Sequence, residues 1–200
     1  MITSIDDKRV SLRSSKSRDR EDLLREVKEI LSNEGKVLRF IEADGVAIEE
    51  EAFKALREIV MVNFISISVQ ELVMESLENS EKHLITIIDT MDKSACALEK
   101  KQADDAMTAL IDAVEGICWQ LETIYQLQIL LSVEERERMD EEFEAHRETL
   151  IDGLERTSEF MKERKHAEAA GIIREKINPS LEGLHSYIEN LRSLAHGKAW

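Results

Sequence analysis

Two Glu-x-x-His pairs, Glu163 with His166 and Glu182 with His185, come nearest in this chain to a spacing with known chemistry. Residues three apart project from one helical face, and bundles that hold two iron or manganese ions use one such pair on each of two helices, with further glutamates. Here the Glu163 pair falls at an expected helix junction, so one usable pair remains and the di-metal pattern is incomplete. In a chain with 42 acidic residues such spacings arise by chance.

A second constellation comes from levels in a bundle. Counting outward from the expected turns brings His83, Cys118, His146 and His185 to about one layer, where imidazole and thiolate ligands could make a tetrahedral metal site. Only His146 falls on an apolar stripe, and a histidine there can satisfy its ring nitrogens with a neighbouring Glu or a backbone carbonyl. Phosphate-cradling glycine loops, nucleophile elbows and Cys-x-x-Cys pairs are absent from the sequence. The expectation is therefore no catalytic residue, no cofactor and no metal, with the convergence of the four side chains left to the structure. Trp119 and Tyr187 read as packing beside core stripes, and Trp200 as a loose tail.

The elements that position these residues are mostly long helices. The chain is 42% hydrophobic and 34% charged, with 4% aromatics and one proline, Pro179, a balance that suits Ala-, Leu-, Ile-, Glu- and Lys-rich helices and argues against an all-β fold. Ala103 to Leu131 is the central helix, about 43 Å long at 1.5 Å per residue. Its expected inward stripe is Ala103, Met107, Leu110, Val114, Ile117, Leu121, Ile124, Gln128 and Leu131. Before it, a helix opened by a capping box at Ser68 and Glu71 carries Val73, Leu77, Leu84, Ile87, Met91, Ala95 and Leu98, and ends near Lys101. After it, a second capping box at Ser132 and Glu135 opens a helix with Met139, Phe143, His146, Leu150, Leu154 and Met161 inward. The fourth helix carries Ala170, Ile173, Ile177, Leu181, Leu184, Ile188 and Leu191, with a kink or break expected before Pro179. Gly116, Gly153, Gly171 and Gly183 lie inside helices, where they suit close packing.

The two capping boxes are 64 residues apart, and so are Lys101-x-Ala103-Asp104-x-Ala106 and Lys165-x-Ala167-Glu168-x-Ala170, which suggests two duplicated helical hairpins. Very short connections favour an antiparallel up-down four-helix bundle over residues 69 to 197, with a tail at 198 to 200.

Residues 1 to 68 have a different texture. Ile2 to Ile5 and Arg9 to Leu12 flank an Asp6-Asp7-Lys8 turn, and a solvated Ser- and Arg-rich loop leads to a helix capped by Asp19 that stops at Gly35. Lys36 to Ala43 is a strand, Asp44-Gly45 a tight turn, and Val46 to Ile48 its return. A short helix over Glu49 to Glu58, with Phe53 and Leu56 inward, precedes a last strand over Val60 to Val69. This order is that of a β-grasp unit, whose sheet packs across one helix. The layout resembles a group of uncharacterised bacterial proteins with a small β-grasp-like head, a hairpin at its start and a strand ending in Asp-Gly, followed by a helical bundle. The residues that carry the likeness are Asp44-Gly45, the alternating strand after Val60 and Asn178-Pro179. It implies an α+β fold and no activity. Sulfur carriers of the β-grasp class act through a free Gly-Gly tail, whereas here the last strand runs on into a helix.

Charge narrows the partners. Residues 1 to 68 carry 12 basic and 14 acidic side chains, and residues 69 to 200 carry 15 and 28, so the helices hold a net −13 of the total −15. Such a surface repels phosphate backbones and anionic lipid, and neither nucleic acid nor membrane is expected as a partner. Asp112, Glu115 and Glu122 interrupt the most apolar helix, the N-terminus lacks the layout of a signal peptide, and Cys96 and Cys118 are placed too far apart to bridge, all pointing to a cytoplasmic protein with free thiols. The function expected is a non-catalytic interaction or scaffold module for an unknown protein partner, with self-association possible. The rival readings are a metal-binding bundle using His and Glu, and an acidic helical chaperone for an export substrate.

Overall fold

The computed structural model describes residues 1–16, 20–56, 58–131, 133 and 137–198. Contacts divide the chain into two compact units, Met1–Leu72 and Val73–Ala199.

In the first unit β1 (Ile2–Ile5) turns through Asp6 and Asp7, both at positive φ, into β2 (Lys8–Arg9). A 3-10 turn at Arg13–Lys16 precedes α1 (Arg20–Asn33), which closes on Gly35 at φ 67°. Next come β3 (Lys36–Ala43), β4 (Val46–Ile48), α2 (Glu50–Ala55) and β5 (Met61–Ser68). The sheet order is β2-β1-β5-β3-β4, with β1 and β5 parallel at the centre and every other pairing antiparallel, the order of the β-grasp arrangement. Asp44 and Gly45 hold φ values of 49° and 83°, the mirror-image turn whose twist matches a hairpin. The Leu23, Leu24, Val27 and Leu31 face of α1 buries itself with Ile41, Val62, Phe64 and Phe53, and Phe53 meets Phe64 edge-on with centroids 5.6 Å apart.

Three expectations for this unit need correction. The second strand is only two residues long, because after Val10 donates to the Thr3 carbonyl the chain leaves the edge and drops Leu12 into the core. The short helix ends at Ala55, since Leu56 is extended at ψ 123°, and Leu56 is consequently 38% exposed rather than inward. The last strand starts at Met61, leaving Val60 on the surface. The proposed Asp19 cap lies outside the described residues.

The second unit is an antiparallel bundle of α3 (Val69–Glu99, whose first turn belongs to the first unit), α4 (Ala103–Leu131), α5 (Glu137–Lys162) and a fourth rod. That rod is α6 (His166–Ile172), one π-helical stretch (Ile173–Ile177) and α7 (Asn178–Gly197). The α3 capping box is reciprocal: Ser68 Oγ accepts from the Glu71 N–H at 3.1 Å, while the Glu71 carboxylate accepts from the Ser68 N–H at 3.1 Å. The second capping box, at Ser132 and Glu135, lies outside the described residues, as do the Met139 side chain and Trp200.

Pro179 neither breaks nor ends the fourth rod. Proline clashes with the carbonyl four residues back, here Glu175, and the π turn that contains Glu175 widens the helix there while Asn178 remains helical. Every inward position expected for α3 and for the fourth rod is buried. In α5 only Phe143 and Leu150 of the expected stripe are fully buried; His146, Leu154 and Met161 are half-buried, and Gly153 and Thr157 face the core instead. Gly153 is there because Ile177 of the π stretch packs against it, 2.8 Å from where a Cβ would stand. Gly171, by contrast, has open space around it.

The largest departure is in α4. Its buried positions are Ala106, Leu110, Ala113, Ile117, Gln120, Ile124, Leu127 and Leu131, a narrow seam in alternating three- and four-residue steps, with Gln128 beside it. Five expected positions, Leu110, Ile117, Ile124, Gln128 and Leu131, are buried, whereas Met107 is exposed and Ala103, Val114 and Leu121 are half-buried, so the seam is turned partly away from the expected stripe. Ala106, Ala113, Gln120 and Gln128 share the inward places with five Leu and Ile side chains. Small side chains let α3 approach closely, as in the Ser94 Oγ donation to the Ala106 carbonyl at 3.0 Å, while Met107, Ile111, Tyr125 and Ile129 are turned out.

Candidate functional site

The residues first considered for chemistry are sent to different interfaces. His83 lies edge-on to Trp119, centroids 4.7 Å apart, between α3 and α4. Cys118 is exposed on α4, and Cys96 is a free, exposed thiol on α3. The His146 ring fills the space above the Gly183 backbone, and His185 Nε2 stands 3.7 Å from Glu81 of α3 rather than beside Glu182. Glu163 engages Lys165. Among the described residues no three His, Cys, Asp or Glu side chains converge. Tyr187 is fully buried and accepts from Gln128 Nε2 at 2.7 Å, whereas Trp119, packed edge-on to His83, is half exposed.

What the helices do build is an apolar face. Met107, Ile111, Val114, Cys118, Leu121, Tyr125 and Ile129 follow one another at three- and four-residue steps on α4, a second stripe beside the buried seam. Met107, Ile111, Tyr125 and Ile129 are 44%, 53%, 51% and 44% exposed. Toward α5 the stripe becomes the wall of a groove of about 550 Å³, whose opposite wall is Leu154, Thr157, Ser158 and Met161. Glu115 and Lys162 stand at its lips. Asp104, Glu115 and Glu122, spaced eleven and seven residues apart, run along the outer edge of the stripe, and α4 holds five acidic residues and no basic one.

The bundle contains its own comparison. Adding 64 to the buried positions Ala106, Ala113, Ile117, Gln120, Ile124, Leu127 and Leu131 gives Ala170, Ile177, Leu181, Leu184, Ile188, Leu191 and Ala195, all buried. Two buried positions fail: Leu110, because the π turn moves that place to Ile173, and Gln128, whose counterpart Arg192 is half-buried. The same addition to the exposed stripe gives Gly171, Glu175, Asn178, Glu182, His185, Glu189 and Ser193, with no apolar side chain among them. Beside them the fourth rod meets α3 through polar pairs: Asn178 Nδ2 donates to Asp92 at 2.6 Å, Arg174 pairs with Glu99 at 2.8 Å, and Arg192 pairs with Glu81. A helix in the matching place thus folds without an apolar outer stripe, so the stripe on α4 is not a requirement of the bundle.

The family model for the domain of unknown function DUF8042 matches residues 75–187, more than half the chain, from the second turn of α3 to Tyr187 of α7. The chain belongs to this family. The DUF8042 region includes both walls of the groove and the whole α4 stripe. No curated protein and no solved structure matches the chain.

The stripe was visible in the sequence as a helix apolar over more than one face. Reading it as core placed Met107, Val114 and Leu121 inward and left Ile111, Tyr125 and Ile129 without a role.

Proposed function

We propose that this protein is a non-catalytic, cytoplasmic bacterial interaction module whose DUF8042 bundle docks another protein on the outer face of α4. The observation that carries this reading is the run of exposed apolar side chains from Met107 to Ile129 beside an open apolar groove. Apolar surface held in water has a standing cost, at roughly 25 cal/mol per Å², that a docked partner removes. The acidity of the helices argues against nucleic acid and anionic lipid as that partner. Among the described residues no helix is long and apolar enough to cross a membrane.

The test is affinity purification of the full chain from its native host, wild type beside an Ile111→Glu, Ile129→Glu double variant, with mass spectrometry. A protein that accompanies the wild type in near-stoichiometric amount and is lost from the variant supports the reading. The same companions on both, or none on either, would reject it.

A further inference from the structure

We propose that the occupant of the α4–α5 groove is a basic amphipathic helix of another protein, one that lays Leu, Ile or Met at three- and four-residue spacing into the groove and sets Lys or Arg along its edges. This rests on the interaction reading and specifies its partner. Length comes first. From Met107 to Ile129 the stripe covers 22 residue steps, about 33 Å, of which the groove takes the part from Met107 to Glu115, about 12 Å, so an incoming helix of some 18 to 22 residues seats one end in the groove and runs on along the exposed stripe. The groove walls are side chains, with the backbone of both helices already hydrogen-bonded internally, so there is no free strand edge and a helix is the shape that fits.

Charge then separates the two helical occupants that this geometry admits. A second copy of the chain would bring its own Asp104, Glu115 and Glu122 and a net −15 against the same signs. A helix flanked by Lys and Arg meets the acidic edge of α4 with opposite charge, which speeds encounter and sets orientation. Lys162, at the α5 lip near the start of α4, is the one basic side chain lining the groove, and it repels a cationic residue at that end. The best seat for the incoming cations is therefore along Glu115 and Glu122.

The probes are three synthetic 18-residue helices with the same leucine stripe and flanks of Lys, Gln or Glu, labelled and titrated into the full chain by fluorescence anisotropy near 0.15 M salt. The Leu/Lys helix is expected to bind at least tenfold more tightly than the Leu/Gln helix, and the Leu/Glu helix not to bind. Ile111→Glu should weaken the Leu/Lys helix at least tenfold although it adds a negative charge, and Glu115→Gln with Glu122→Gln should narrow the Lys-over-Gln preference. Ile129→Glu serves as the second apolar variant should Ile111→Glu melt early.

Equal binding of the Leu/Lys helix to Ile111→Glu would overturn the site, because bulk charge would then explain the affinity. Equal, Ile111-dependent binding of Leu/Lys and Leu/Gln would overturn the basic partner and leave the docking face standing. A wild-type dimer by sedimentation that Ile111→Glu dissociates, with no peptide bound, would replace the proposed partner by a second copy. Absence of both peptide binding and self-association would overturn the inference, and the native-host purification then decides the interaction reading separately.

Discussion

The His146 ring occupies the place where residue 183 would carry a Cβ, so Gly183 is what allows α5 and α7 to meet at this level. A methyl group there would fall inside the imidazole, and the ring has to leave its half-buried seat. Gly183→Ala gains about 1 kcal/mol of helix propensity but incurs an overpacking cost of about 1–3 kcal/mol. The expected result is net loss of stability in urea titrations, with Gly183→Ala recovering most of it in a His146→Ala background. Equal loss in both backgrounds would show that the ring is not the obstacle.

The core of the bundle holds one satisfied and one unsatisfied glutamine. Gln128 donates to Tyr187, both buried, so Tyr187→Phe leaves an amide without that partner and should cost about 1–3 kcal/mol. Gln120 is fully buried, and among the described residues neither its amide nitrogen nor its amide oxygen has a hydrogen-bond partner. Its counterpart 64 residues on is Leu184. Gln120→Leu should therefore raise the urea midpoint, by an amount of order 1–3 kcal/mol. A lowered midpoint would mean that the amide is satisfied in solution.

In the first unit Asp6 is the charged hinge of the sheet. Its carboxylate accepts from the Ser66 N–H at 2.8 Å, the Ser66 hydroxyl at 2.7 Å and Lys36 at 3.0 Å. Partial burial pushes its pKa upward, but the Ser66 bonds and Lys36 outweigh this and hold it at about 2 against an ordinary 3.8. The folded pKa is the lower one, so this stabilisation is complete above about pH 4 and is lost as pH falls from 3.8 toward 2. Allowing for the partly exposed side chain, it is worth about 1–2 kcal/mol. Asp6→Asn should thus speed hydrogen exchange at the Ser66 amide at pH 5 and make little difference near pH 2. A pH-independent difference would assign the effect to geometry rather than charge.

Much of the fold was legible because its signals are local. Asp44-Gly45 and Asp6-Asp7 impose positive φ within two residues, and Ser68 with Glu71 closes its own hydrogen bonds, so these elements read without knowledge of the rest of the chain. Pro179 misleads, since whether it breaks a helix depends on a π turn in the preceding residues, which no residue type announces. The candidate site was missed for a related reason. A helix with two apolar stripes does not say which one is inward; that was decided by Ala106, Ala113 and Ser94, small residues that draw α3 onto one face and leave Met107 and Ile111 on the other.

The final prediction uses the matching helix as a template. If the outer stripe of α4 serves a partner and not the fold, it can be given the side chains that α7 carries 64 residues on: Ile111→Glu, Tyr125→Glu and Ile129→Ser, after Glu175, Glu189 and Ser193. Each replaced side chain is close to half exposed or more, where substitutions ordinarily change stability by about 0.5 kcal/mol or less, and Glu is a good helix former. The triple variant should keep the wild-type far-ultraviolet circular dichroism and stay within about 1.5 kcal/mol in guanidinium titrations, summing three such changes. Its binding of an apolar dye such as anilinonaphthalene sulfonate should fall, because the exposed stripe is the surface removed. A collapse of the guanidinium transition would instead place these side chains in a contact on which the fold depends, and the docking face would be lost with it.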